Sequence, residues 1–346
     1  MAHEDSQTNA ISDEQIVLAH GGGGELTRKL IAERFLPKLT NALLDPLADS
    51  AILDMPPGRI AFTTDAHVIQ PLEFPGGDIG RLSICGTVND LVVMGAIPRA
   101  ISLALVIEEG LPLAVLDRII DSIAAAARES GVAVATGDTK VIERQRGDGL
   151  LITTAGVGEL RENARIDARR ATAGDAIIVT GRIAEHGLTV MAAREGLKFQ
   201  TELRSDVAPL NDLVDRLYDT GADLKFMRDP TRGGLAGVLV DLAAEARLSV
   251  EIREESIPVS GVARHTAELL GLDVLSVPNE GKAVIVTAAS DADRVVQACR
   301  RHPLGRHAAI IGQVGDAQPP LVELVTVAGG RRLVQRPYGE ELPRIC

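Results

Sequence analysis

The sequence predicts a two-domain α/β protein, and three observations carry that reading. Stretches of strand and helix character alternate along nearly the whole chain. At 346 residues the chain is long enough for two cores. A charged interval with few large apolar residues, Arg161 to Arg170, interrupts the alternation near the middle. The boundary is placed near Ala168 to Gly174. This gives a polar extension over 1–15, a first domain over 16–168, a second over 169–330 and a mobile tail over 331–346.

In chain order, four glycines at Gly21–Gly24 precede a helix starting near Leu26. Arg59 to Thr64 reads as a strand of β-branched and aromatic residues running into Asp65. Ile79 to Met94 reads as a helix capped by Asp78. Leu82, Cys85, Val88, Leu91 and Val92 share its apolar face, and Ser83, Gly86, Thr87 and Asp90 lie opposite. That second stripe leaves room for a ligand or a close backbone. Leu113, Leu116, Ile120, Ile123 and Ala127 mark an amphipathic helix to Arg128. Strands are expected at Val132 to Thr136, running into Asp138, and at Leu150 to Val157. The second half supplies strands at Ala176 to Thr180, Leu248 to Ile252, Ala283 to Thr287 and Ala309 to Val314. Its helices are expected at Leu188 to Arg194, Gly233 to Ala246 and Asp291 to Arg300.

Composition narrows the function classes. A net charge of −12, two tyrosines and no tryptophan argue against a nucleic-acid surface. Every apolar run is short and interrupted, so no membrane span is expected. The stretch from Met1 to Gln15 lacks the basic start and apolar segment of a secretory signal, which makes the cytoplasm the expected compartment. Three widely spaced cysteines make neither a disulfide framework nor a zinc site. Cys85 falls on a core face and Cys299 on an ordinary helix. Cys346 ends the chain after Pro343, Arg344 and Ile345, where an exposed thiol invites oxidation. It is read as an accidental surface thiol or as a mobile nucleophile or carrier. A tail of about 17 residues extends at most ~55 Å.

The strongest chemical signal is the scatter of aspartates at expected element ends: Asp65, Asp90, Asp138 and Asp229. Ligands of α/β proteins gather beyond the carboxyl ends of strands, and several hard carboxylates there suit Mg²⁺. The glycine run suits either a phosphate at a helix start or a flexible linker. Asp229-Pro230-Thr231-Arg232-Gly233-Gly234 is either a tight helix entry or a phosphate clamp built on Arg232. Asn279-Glu280-Gly281-Lys282 has turn composition.

Together these segments resemble the HypE family of hydrogenase maturation proteins, from about Ile16 to Cys346. The resemblance runs through His20 to Gly24, Thr63-Thr64-Asp65, Phe74 to Gly80, Gly86 to Asp90, Thr136 to Val141, Asp229 to Gly234, Asn279 to Lys282 and the Pro-Arg-Ile-Cys terminus. Several motifs are shared with aminoimidazole-ribonucleotide synthetases, selenophosphate synthetases and thiamine-monophosphate kinases; the terminal cysteine narrows the choice. The resemblance implies the two-domain aminoimidazole-ribonucleotide synthetase-like fold, with a homodimer formed by N-terminal domains that also bind ATP. It implies a HypF-like carbamoyltransferase that loads Cys346, ATP-dependent dehydration of the S-carboxamide to a thiocyanate, and passage of cyanide to iron on a HypC- and HypD-like scaffold.

On that resemblance Cys346, Lys140, Glu280 and His67 are catalytic, and Asp65, Asp90, Asp138 and Asp229 hold Mg²⁺. ATP is held by His20, Gly21, Gly23, Gly24, Asp78, Gly80, Thr87, Asn89, Gly137, Thr139, Thr231, Arg232 and Gly233. His67 alone also reads as a structural histidine. The alternatives are another ATP-dependent member of the superfamily, such as a selenophosphate synthetase-like enzyme, or a non-catalytic maturation scaffold. Selenophosphate synthetases carry a reactive residue near the N-terminus, whereas the first cysteine here is Cys85.

Overall fold

The computed structural model describes residues 15–22, 25–47, 51, 53–55, 57–196, 203–336, 342 and 344–346. Gly23, Gly24 and nearly all of the N-terminal extension lie outside the described residues. In the first domain, strands β1 (Ile60–His67), β2 (Ala96–Glu108), β3 (Ala133–Ile142) and β4 (Leu150–Leu160) form a sheet in the order β1-β4-β2-β3. β2 and β3 run parallel, and the other neighbours are antiparallel. A parallel pair needs a long crossover, which helix α2 (Leu113–Ser130) supplies. Gly131 ends that helix in the left-handed region, with its N–H on the carbonyls of Ala127 and Arg128.

Helix α1 (Ile79–Val93) lies against the same face of the sheet and is buried almost all round. Asp78 caps it by accepting from Arg81 N at 2.9 Å. Its small-residue stripe meets a close backbone: a Cβ on Gly156 of β4 would stand 2.7 Å from Thr87 Cγ2. Among the described residues the other face of the sheet is open, with Ile60 57% and Phe62 72% exposed.

Two strand ends differ from expectation. The strands expected to stop at Thr64 and Thr136 continue to His67 and Ile142, so Asp65 and Asp138 sit inside strands rather than beyond them. Pairing explains this: β4 accompanies β1 through Asp65↔Thr154 to His67↔Ile152, and β2 accompanies β3 through Ala104↔Asp138 to Glu108↔Ile142. Strand β2 was not anticipated, although Ile101, Leu103, Leu105 and Ile107 alternate.

The second domain is a mixed sheet of β5 (Ala176–Val179), β6 (Leu224–Arg228), β7 (Ser249–Arg253), β8 (Val284–Thr287), β9 (Ala309–Gly315), β10 (Val322–Val325) and β11 (Arg331–Val334). Among the described residues its order is β11-β10-β7-β9-β5-β8-β6. The expected domain boundary lies in the stretch between β4 and β5. Helices α3 (Glu185–Arg194), α4 (Asn211–Asp219), α5 (Gly234–Ala246), α6 (Gly261–Leu270) and α7 (Ala292–Arg300) cover it. Ile177, Val179, Phe226, Val284 and Val286 pack with α5 on one face. Ile178, Met227 and Ile285 face the other way, into a core continuous with Val88 and Ile123 of the first domain. The two units therefore share apolar contacts.

The tail begins later than expected. Residues 331–334 are β11, paired with β10 through Val322↔Val334 after a turn in which Gly329 has φ +83°. The last residues also return to the body. Ile345 is buried and Cys346 half-buried, whereas the sequence predicts a mobile tail with an exposed terminal thiol. An apolar Ile345 next to the end gives the physical reason, since leaving it in water forgoes burial of about 1.5–3 kcal/mol.

Candidate active site

Helix α1, strand β1 and the loops around residues 229–233 and 276–278 enclose a cleft of about 1260 Å³. Its walls include Thr63, Asp90, Asp229, Thr231, Arg232 and Cys346. Three of the four predicted magnesium ligands, Asp65, Asp90 and Asp229, gather at or behind this wall. Asp90 Oδ2 accepts from Thr63 Oγ1 at 2.8 Å, and Asp65 Oδ2 accepts from Thr87 Oγ1 at 3.0 Å. A buried ladder continues from Thr87 Oγ1 to Thr154 Oγ1 at 2.6 Å and from Thr154 to His67 Nε2 at 3.2 Å.

The acids strain against one another. Burial pushes the Asp90 carboxyl up to about 6, with Asp65 adding to the rise. Asp229 is pushed up to about 7, by burial first and then by Asp90. Burial, followed by Asp229, raises Glu280 well above the ordinary range, and its Oε1 is buried without a hydrogen-bond partner. Burial also lowers His67 to about 4, against the pull of Asp65, so the imidazole is neutral at neutral pH. Such an excess of hard anionic oxygens suits a divalent cation together with phosphates. Among the described residues no three Asp, Glu, His or Cys side chains stand close enough to hold an ion by themselves. Phosphate oxygens and water would have to complete the shell of any ion bound there.

Asp138 does not join this group within one chain. Asp65, Thr154, Leu103 and Gly137 lie in one row across the sheet, and Asp138 belongs to the next row, opposite Ala104. Successive residues point to opposite faces, so Asp138 faces away from Asp65, three strand spacings or about 14 Å off. Gly21, Gly137, Asp138, Thr139 and Lys140 instead border a smaller cavity of about 170 Å³ over Leu103 and Leu105. Close backbones require two of these glycines: a Cβ on Gly21 would stand 2.3 Å from Val141 N, and one on Gly137 2.5 Å from Leu103 O. His20 Nδ1 accepts from Val17 N at 3.0 Å near this cavity's edge.

Other predicted ligands of ATP have tasks in the fold. Asp78 is the α1 cap. Gly80 lets α1 cross α2, because a Cβ there would stand 2.5 Å from Ile119 O. Asn89, fully buried, donates to Ala208 O at 3.1 Å and Glu280 O at 3.2 Å and accepts from Leu210 N at 2.8 Å. Thr231, Arg232 and Gly233, which has φ +80°, lead into the N-terminus of α5, a place that favours anions.

Several residues at the site were not anticipated. Asp206 pairs with Lys282 at 3.1 Å, both nearly inaccessible, and accepts from Glu280 N at 3.3 Å and Gly281 N at 3.2 Å. Gly281 is required, since its Cβ would fall 2.0 Å from Asp206 O. Asn279 holds the 230 loop through Pro230 O at 3.1 Å and accepts from Ala184 N at 2.7 Å. The apolar run after Lys282 was the signal that its turn is buried.

Residues 47–160 match the family described as AIR synthase related protein, N-terminal domain, and residues 172–322 its C-terminal domain. The chain is 46% identical over 337 residues to the carbamoyl dehydratase HypE of Cupriavidus necator, covering 97% of this chain and 96% of that protein. It resembles the structure of hydrogenase maturation protein HypE in complex with ATP with a TM-score of 0.92 and 40% identity, over 95% of this chain and 99% of that one. A HypE–HypF complex gives a TM-score of 0.78 and 42% identity over 89% and 99%.

Proposed function

This chain belongs to the HypE family of carbamoyl dehydratases, and we propose that it dehydrates an S-carbamoyl group on Cys346 to a thiocyanate with ATP, supplying cyanide for a hydrogenase iron centre. One observation carries the reading: the terminal cysteine lines the same cleft as Asp90, Asp229 and Arg232. A thiol placed there is accessible to chemistry that needs phosphates and a cation.

An amide oxygen is a poor leaving group, so the carbamoyl oxygen first attacks the γ-phosphorus of ATP and ADP leaves. The C–O bond then breaks, phosphate departs with that oxygen, and two N–H protons are lost as C≡N forms. Asp65, Asp90 and Asp229 are proposed to hold Mg²⁺ on the phosphates; when bound, the ion draws charge from the phosphoryl group. Arg232 is proposed to clamp a phosphate oxygen. For the protons, Glu280, whose Oε1 is buried without a hydrogen-bond partner, is proposed as the acceptor, while His67 Nε2 is already engaged by Thr154 Oγ1 at 3.2 Å.

Lys140 and Asp138 enter through a homodimer. The open face of the first sheet bears exposed Phe62 and Ile60, which supports pairing with a second copy. Asp138 and Lys140, in the rows opposite Ala104 and Val106, are proposed to lie at that pairing face. The resemblance to a HypE–HypF complex supports a HypF-like carbamoyltransferase as loading partner; a HypC- and HypD-like iron scaffold is the proposed acceptor. No helix among the described residues is long and apolar enough to cross a membrane. The cytoplasm, with ATP and reduced thiols, is the proposed compartment.

The test is intact mass after incubation with carbamoyl phosphate, MgATP and the cognate carbamoyltransferase, with Cys346→Ala in parallel. Gain of a carbamoyl group followed by loss of water, absent in the variant, is expected. An unmodified mass with an active partner would refute the reading.

A further inference from the structure

We propose that His186, oriented by Ser205, is a positioning residue that reads the main chain of the tail and thereby sets where the Cys346 side chain is presented. This rests on the reading of Cys346 as carrier. The last three residues are held by their backbone from two sides. Val68 N donates to Cys346 O at 3.1 Å and Gln70 N donates to Arg344 O at 3.2 Å, a short strand-like pairing. The carbonyl between them, Ile345 O, accepts from His186 Nε2 at 2.8 Å. Arg194 ties the pairing together, donating to Arg344 O at 2.6 Å and to Gln70 O at 3.0 Å. The Arg344 guanidinium reaches Asp148 at 3.0 Å.

The histidine is built to donate. A carbonyl only accepts, so Nε2 carries the proton and Nδ1 keeps its lone pair, which accepts from Ser205 Oγ at 2.7 Å. Ser205 Oγ in turn accepts from Val207 N at 3.1 Å. The ring is fully buried, with Phe74 edge-on at 5.5 Å and 83°. Ser205 N donates to Pro75 O at 2.8 Å, and Gly76, with φ +98°, admits it closely: a Cβ would stand 2.8 Å from Ser205 O. Phe74, Pro75 and Gly76, to which no task in the reaction has been given, thus buttress the residue that holds the tail.

Hydrogen exchange of the full chain reads the dock directly, because the amides of Val68 and Gln70 are protected by the tail. In His186→Ala their exchange rises about 3- to 10-fold, the worth of one buried hydrogen bond, while α1 amides are unchanged. His186→Gln, which keeps a donor, restores most of the protection. Ser205→Ala gives a smaller rise and carries the test should the alanine variant fail to fold. With Cys346 loaded, single-turnover dehydration falls in the order wild type, Gln, Ala at unchanged MgATP affinity. Equal exchange at Val68 and Gln70 in all variants, or a rise shared by α1, overturns the proposal. A wild-type chain that docks its tail but does not dehydrate overturns the reaction reading and leaves the dock standing.

Discussion

Asp229 and His186 are both buried titratable groups, and burial drives them in opposite directions. For the carboxyl it favours the protonated form, and for the imidazole the neutral form. His186 has a direct consequence for stability. Its folded pKa lies below the ordinary 6.5, with burial as the cause and nearby Asp206 opposing. Below pH 6.5 the unfolded chain binds a proton that the folded ring refuses. The stability this group contributes is therefore present above pH 6.5 and lost as pH falls toward the folded value. Stability should drop between pH 7 and 5.5 relative to His186→Gln. Denaturant titrations at the two pH values measure it; parallel pH profiles would refute it. At this scale the sequence was legible where a local run shapes the wall of the cleft, as at Asp229 to Gly233. It was silent on Asp206, Ser205 and Arg194, whose partners include residues 75 to 150 positions away.

Among the elements, α1 decides the site, because it carries Thr87 and Asp90 and is clasped by the sheet and α2. Its cap and apolar face were legible because a helix writes its period into local sequence. The strands carrying Asp65 and Asp138 were cut short because a carboxylate was taken as a strand end. Cross-strand partners, invisible locally, keep both in the sheet. The tightest point of the clasp is Gly80. Gly80→Ala puts a methyl 2.5 Å from Ile119 O and 2.9 Å from Ile123 Cγ1. It should destabilise by about 1–3 kcal/mol. An unchanged urea midpoint would show that the crossing relaxes freely.

At the scale of the whole molecule, two sheets share apolar contacts, and the chain end closes onto the first domain beside the cleft. Two domains were foreseen from length and the charged interval; their common core and the docked tail were not, because both depend on how distant segments meet. The sheet face around Phe62 is exposed and is where the proposed dimer would pair. Phe62→Glu should convert a dimer to a monomer in sedimentation equilibrium at a stability changed by less than about 0.5 kcal/mol. A persistent dimer would place the interface elsewhere.

The central claim is that ATP activates the carbamoyl oxygen on Cys346 for departure. It is tested most directly by loading Cys346 with a carbamoyl group labelled with ¹⁸O and adding MgATP. One label per thiocyanate formed is predicted in the released inorganic phosphate. Label appearing in water, or thiocyanate formed without ATP consumption, would contradict the account.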